Sequence, residues 1–105
     1  MEVKHLSKAE FEQAVNAGDD LVVVDFFATW CGPCKMLAPV VERMADKYAD
    51  VHFYKVDIDE EIDLASRFQV MSVPTLLYMK KGEILGKSVG VVSPAEMERE
   101  ISKNK

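Results

Sequence analysis

The sequence predicts an α/β protein: a central mixed sheet of four to five strands with helices on both faces, in the order βαβαβαββα. Three observations predict it. Residues 21–28 form a continuous apolar run rich in Val and Phe, interrupted only by Asp25, which reads as a central strand buried on both faces. A helical stripe follows it, and then a second strand-like run at 51–57. That strand–helix–strand unit makes the two strands parallel through a right-handed crossover. Finally, residues 75–79 and 83–89 flank Lys80-Lys81-Gly82 and close the chain's sheet as an antiparallel hairpin.

Each element has a local reason. A short first strand falls near residues 3–6. Ser7-Lys8-Ala9-Glu10 is a capping box, Phe11, Ala14 and Val15 follow at helical spacing, and Gly18 supplies the stop. The second helix starts near Pro33, a residue tolerated in a first turn. Leu37, Val40, Val41, Met44 and Tyr48 form its apolar stripe. Pro39 lies inside that stripe and removes one backbone bond, which predicts a kink. Residues 60–68 read as a short helix carrying Ile62, Leu64, Ala65 and Phe68. Ser93-Pro94-Ala95-Glu96 is a second capping box with proline at the first helical position, and Met97 and Ile101 give that last helix its core contacts.

At 105 residues and 49% hydrophobic, the chain has material for one core and one domain. The net charge of −5 gives no electrostatic case for nucleic acid or an anionic membrane as partner. No window approaches the roughly 18 apolar residues of a membrane span. The opening Met1-Glu2-Val3-Lys4-His5 lacks the basic and then apolar regions of a secretory leader, so a cytoplasmic protein is expected. In that compartment a pair of cysteines is a catalytic or metal-binding feature before it is a permanent staple.

The only two cysteines stand in Trp30-Cys31-Gly32-Pro33-Cys34, where the apolar strand turns into a helix. Three apart on a helix, they share a face and can close a disulfide. A thiol at a helix N-terminus meets free N–H groups and the positive end of the macrodipole, both of which favour the reactive thiolate. C-x-x-C within a βαβ pattern therefore points to reversible thiol–disulfide chemistry. Two rivals remain open. A structural zinc site usually takes four protein ligands, and His5 and His52 stand at no finger-like spacing. A purely structural disulfide would close so short a loop that it constrains the unfolded chain by only roughly 2 kcal/mol.

Asp25 within its apolar strand, the run Ala28-Thr29-Trp30-Cys31-Gly32-Pro33-Cys34-Lys35, Pro39, Lys55, Val73-Pro74-Thr75, Gly82 and Gly90 together resemble the thioredoxin family over essentially the whole chain. Gly-Pro between the cysteines is that family's dipeptide; glutaredoxins usually carry Pro-Tyr and disulfide isomerases Gly-His. The resemblance implies one thioredoxin-fold domain over residues 1–105. It implies a general protein-disulfide reductant that cycles between a Cys31/Cys34 dithiol and disulfide, and binds no cofactor. Its electrons would come from NADPH or ferredoxin through a thioredoxin reductase. Without a Gly-x-Gly-x-x-Gly signature the chain should not bind NADPH itself. Diverse disulfide-containing proteins would be its substrates, and a monomer is expected. The alternative is a redox-regulated binding module or subunit of a larger complex.

Roles follow for single residues. Cys31, nearer the helix start and hence expected to be the more exposed, is the nucleophile; Cys34, one turn inward, is the resolving thiol. Asp25 carries a desolvation penalty that should raise its pKa. It is either a hydrogen-bonded structural acid or a general base for Cys34, and the resemblance sets Lys55 beside it. On its own Lys55 reads first as a snorkelling surface lysine, and the resemblance is what turns it toward Asp25. Lys35 either favours the Cys31 thiolate or is simply solvated. Pro74 by base rate is trans; the resemblance implies a cis bond facing the cysteines, with the Val73 backbone free to pair with an extended substrate. Trp30, Gly32, Pro33, Val73, Pro74, Gly90 and Val91 would line a shallow apolar contact surface. Taken singly, Trp30, Val73 and Val91 also suit core packing, and Gly90 a strand end. Met71-Ser72 precede Val73 where the family often has Arg-Gly or Arg-Ser, and Lys81 stands where it often has Asn or Asp.

Overall fold

The computed structural model describes residues 3–105. Met1 and Glu2, the start of the segment read above for a leader, lie outside the described residues. Nine elements follow in order: β1 (Lys4–His5), α1 (Lys8–Val15), β2 (Val22–Phe27), α2 (Gly32–Lys47), β3 (His52–Asp57), α3 (Ile62–Arg67), β4 (Thr75–Lys80), β5 (Glu83–Val89) and α4 (Pro94–Asn104). The five strands form one sheet ordered β1-β3-β2-β4-β5. β1, β3 and β2 run parallel, and β4 and β5 are antiparallel to their neighbours.

Alternation along the strands sorts the core into two layers. Val22, Val24 and Phe26 of β2 join Val56, Leu77 and Met79 beneath Phe11 and Val15 of α1 and Leu64 of α3. Val23 joins Phe53, Leu76 and Tyr78 beneath Leu37, Val41 and Met44 of α2 and Met97 and Ile101 of α4. Helices therefore cover both faces. No helix of the described residues is long and apolar enough to cross a membrane.

Local chemistry sets the boundaries. Both capping boxes form: Ser7 Oγ accepts from the Glu10 N–H while the Glu10 carboxylate accepts from the Ser7 N–H, and Ser93 and Glu96 repeat the pattern. Such a cap contributes about 1 kcal/mol. α2 runs unbroken through Pro39. α3 is shorter than the 60–68 expected. The Glu61 N–H is already bonded to the Asp57 carbonyl at 2.8 Å, no side chain caps the helix start, and Gln69 turns the chain away at φ 53°. The hairpin turns on Lys81 and Gly82 at φ 52° and 79°, both left-handed as a two-residue type I′ connection requires. The register then shifts between Tyr78 and Met79, leaving Leu85 as an extra residue on β5, a bulge that bends this exposed edge.

Candidate active site

β2 ends at Phe27, and the chain turns through Ala28, Thr29 and Trp30 into α2. Cys31 is the N-cap of that helix. Its Sγ accepts the free N–H of Cys34 at 3.2 Å, so a sulfur does the work usually given to a Ser or Asp oxygen. The arrangement puts the macrodipole's positive end and a donated N–H on Cys31, and both favour a thiolate there in the reduced chain. Cys31 and Cys34 are bonded as a disulfide, with Cα atoms 5.3 Å apart. Among the described residues no group of three or more His, Cys, Asp or Glu is placed to hold a metal ion.

The expected difference in exposure between the cysteines is absent: each is 4% exposed. Distant chain contributes to that burial: besides the neighbouring Phe27 and Ala28, Ile58 and Val73 pack on the pair. What separates the cysteines is direction. Cys31 lines an open hollow of about 440 Å³, with Trp30, Gly32, Pro33, Ile58, Val70, Met71, Ser72 and Val73. Cys34 stands behind it, on the buried side of the helix.

The second wall comes from the segment before β4. The Val73–Pro74 bond is cis, as the family resemblance implied and against the base rate for X–Pro. The Val73 carbonyl lies 3.7 Å from Cys31 Sγ. Thr75 Oγ1 donates to the Ser72 carbonyl at 2.7 Å and fixes the loop from below. Gly90, at φ 88°, donates its N–H to the Pro74 carbonyl at 2.8 Å, so a residue far along the chain closes this wall from the side. Val91 follows it as an exposed apolar residue. Pro74 itself is buried, and neither it nor the flanking Gly90 and Val91 lines the hollow; of the predicted contact surface, Trp30, Gly32, Pro33 and Val73 do. Trp30 is 68% exposed and Met71 92%; neither is a core residue.

The sheet face under α2 also carries a buried carboxyl. Asp25 follows Val23 and precedes Phe27 on the face of β2 covered by α2, and Phe27 packs against the cysteines. It is 5% exposed, and its Oδ1 has no hydrogen-bond partner within the protein. Burial pushes its carboxyl up to about 7, and Lys55 pulls the other way. Lys55 is the register partner of Asp25 on β3, as Leu76 is on β4. Lys55 is half-buried, which sets it beside the acid instead of in open solvent.

Three residues were not foreseen from the sequence: Val70, which lines the hollow from the segment after α3, and two that follow β3, Ile58 and Asp59. Ile58 lines the hollow, and Asp59 accepts the Trp30 indole N–H at 2.8 Å. Ile58 and Asp59 sit just past the C-terminal end of a parallel strand, where open α/β sheets gather their sites; that position was the available signal for those two.

The thioredoxin family model matches residues 2–103. The chain is 49% identical to thioredoxin-2 of Saccharomyces cerevisiae over 98 residues, 93% of each chain. It also resembles two solved structures. One is the thioredoxin Mala s 13 of Malassezia sympodialis, with a TM-score of 0.87 and 38% identity, covering 98% of this chain and 90% of that one. The other is a chain solved in work on thiol resolution in a yeast mitochondrial 1-Cys peroxiredoxin through glutathione and thioredoxin systems. Its TM-score is 0.88 at 36% identity, covering 97% of this chain and 95% of that one. The chain belongs to the thioredoxin family, and it is a protein thiol–disulfide oxidoreductase that works through the Cys31–Cys34 pair without a prosthetic group.

Proposed function

We propose that this chain acts as a general, single-domain protein-disulfide reductant of the cytoplasm, reduced again by a thioredoxin reductase fed from NADPH or ferredoxin. The Cys31 thiolate attacks one sulfur of a substrate disulfide. That S–S bond breaks, the departing substrate thiolate takes up a proton, and a mixed disulfide joins Cys31 to the substrate. The Cys34 thiolate then attacks Cys31 Sγ and releases the second substrate thiolate. Two electrons have passed from the dithiol to the substrate, and the Cys31–Cys34 disulfide is left for the reductase to reduce.

The observation that carries the division of labour is directional: of two equally buried, bonded cysteines, Cys31 alone borders the open hollow. Asp25 serves as the base that takes the Cys34 proton, and Lys55 tempers its charge. A buried carboxyl poised near neutrality suits that task. The exposed Trp30, Gly32, Pro33 and Val91, with the half-buried Val73 and Gly90 and the buried Pro74 holding the Val73 backbone, receive the substrate, whose extended backbone pairs with that of Val73. Recognition led by backbone and apolar contact tolerates many sequences.

Trapping tests the assignment. A Cys34→Ser variant should accumulate covalent mixed disulfides with protein substrates, visible on non-reducing gels and cleared by a reductant. Accumulation in Cys31→Ser instead would reverse the two roles.

A further inference from the structure

Of the chain's six methionines, Met1 lies outside the described residues, and the other five divide sharply by exposure. Met44 is buried, and Met79 and Met97 are shut inside the two core layers. Met36, on α2, is 68% exposed and Met71 is 92% exposed. Met71 stands on the segment between α3 and β4, at a position where the family often carries arginine. It also lines the hollow beside Cys31, which Met36 does not. A thioether reacts with a hydroperoxide through a sulfur lone pair, and reaction needs only open access. Cysteines compete for that oxidant as thiolates. Joined as Cys31 and Cys34 are here, neither has a thiolate to offer. Conditions that close the disulfide therefore leave Met71 as the most exposed sulfur among the described residues.

We propose that Met71 is a reversible modification site: a hydroperoxide converts its thioether to the sulfoxide, and the sulfoxide weakens docking of protein substrates beside Cys31. In that step the peroxide O–O bond breaks and an S–O bond forms. Sulfur gives up two electrons, the proton of the transferred oxygen passes to the leaving one, and the peroxide departs as water or an alcohol. Methionine sulfoxide reductases reverse the change, removing the oxygen as water with two electrons and two protons from thiols. The effect on docking rests on the substrate-docking reading given above. Trp30, Ile58, Val70 and Val73 present few polar groups to the hollow, and a thioether suits their company. A sulfoxide oxygen is a hydrogen-bond acceptor that a docking apolar side chain must strip of water without replacing the bond. That cost falls on binding and not on sulfur exchange at Cys31, so KM moves and kcat does not.

The test exposes the disulfide form to hydrogen peroxide and follows oxygen uptake at each methionine by peptide mass spectrometry. Met71 should be oxidised first, ahead of Met36 and at least about tenfold faster than Met44, Met79 and Met97, in line with exposure. Once the peroxide is removed, KM for insulin reduction, with a small dithiol re-reducing the chain, should be raised roughly three- to tenfold. kcat should stay within about twofold. Treatment with the two epimer-specific methionine sulfoxide reductases should return KM to its starting value. Met71→Leu, whatever its own starting KM, should not respond to the same exposure, whereas Met36→Leu should respond as the parent does. Met71→Gln, which carries an amide oxygen at the same place, should raise KM without peroxide. Equal oxidation of Met71 and the buried methionines would overturn the site. A response kept by Met71→Leu and lost in Met36→Leu would overturn it in favour of Met36. Preferential oxidation of Met71 with KM unmoved would overturn the effect on docking. Trp30→Ala then separates the two readings: if it raises KM, the Met71 proposal falls alone, and if it leaves KM in place, the docking reading falls as well.

Discussion

The two faces of the sheet are built from the same strands and bury comparable apolar layers, but only one holds chemistry. Beneath α1 and α3 the strands offer Val22, Val24, Phe26, Val56, Leu77 and Met79, a largely apolar surface to which Tyr54 and the buried Thr75 add uncharged hydroxyls. Beneath α2 the same two central strands alternate apolar and ionisable groups: Val23 then Asp25 on β2, Phe53 then Lys55 and Asp57 on β3. Because a strand's side chains alternate between faces, one sequence can supply a scaffold surface and a reactive surface without either intruding on the other. The ionisable positions also fall toward the C-terminal ends of β2 and β3, next to the disulfide. The penalty of burying Asp25 is confined to one spot, and the opposite face is free to supply stability.

The largest effect expected on the reactive face comes from the nucleophile. Cys31→Ser should lower reduction of protein disulfides by more than ~10³-fold, the scale on which removing a covalent catalyst acts, while melting close to the reduced parent. Residual turnover near the parent's would mean that Cys34 serves alone, and the asymmetry argued from the hollow would be gone.

Phe11→Ala probes the other face. Phe11 is fully buried and packs on Phe68 with ring centroids 5.2 Å apart. Its truncation should cost about 3–5 kcal/mol of stability, measurable by denaturant unfolding. Below the melting transition, kcat and KM should stay within about twofold of the parent. A large loss of activity in the folded variant would break the separation between the faces.

Asp25→Asn should act on both properties in opposite directions. An aspartate in the unfolded chain titrates near pH ~4, whereas burial holds Asp25 up at about 7. Between those values the folded chain keeps a proton that the unfolded chain has released, so its stability falls as pH rises. Below about pH 4 both forms are protonated and the penalty is absent; above about pH 7 it is complete and constant, at most about 4 kcal/mol. The asparagine variant should therefore match the parent near pH 4, exceed it increasingly to pH 7, and keep a fixed advantage beyond. Release of the mixed disulfide, followed by rapid quench, should meanwhile slow by about ten- to a hundredfold, the lower part of the range for general-base catalysis. Greater stability with unchanged release would leave Asp25 a structural acid.

How far the sequence revealed this division depends on the range of the forces involved. The two central strands, both capping boxes and the hairpin turn were readable because apolar spacing, Ser-x-x-Glu and Lys-Gly act within a few residues. Asp25 announced itself by standing where the surroundings demanded an apolar residue. The cis bond at Pro74 was reached through family resemblance, since base rates favour trans. The equal burial of Cys31 and Cys34 escaped, because Ile58 and Val73, which add to their covering, lie far along the chain. Asp59 escaped for a related reason. The sequence ends a strand at Asp57 and starts a helix at Glu60, and nothing in the interval points to a partner for Asp59 until the fold brings Trp30 within hydrogen-bonding distance.

Lys55→Met carries the smallest effect and the finest test of the reactive face. Lys55 opposes the burial that raises the Asp25 carboxyl, and methionine keeps much of the side chain's length while removing its charge. Without that positive charge, Asp25 should hold its proton to higher pH, by about one pH unit, the low end for a neighbouring opposite charge. The upper limit of the stability slope, and the pH midpoint for mixed-disulfide release, should both move up together by that amount. If the stability limit moves and the release midpoint does not, Lys55 is paired with Asp25 but Asp25 is not the group that governs release. If neither moves, the register pairing of the two residues has no electrostatic consequence. The reactive face would then consist of Asp25 and the cysteines alone.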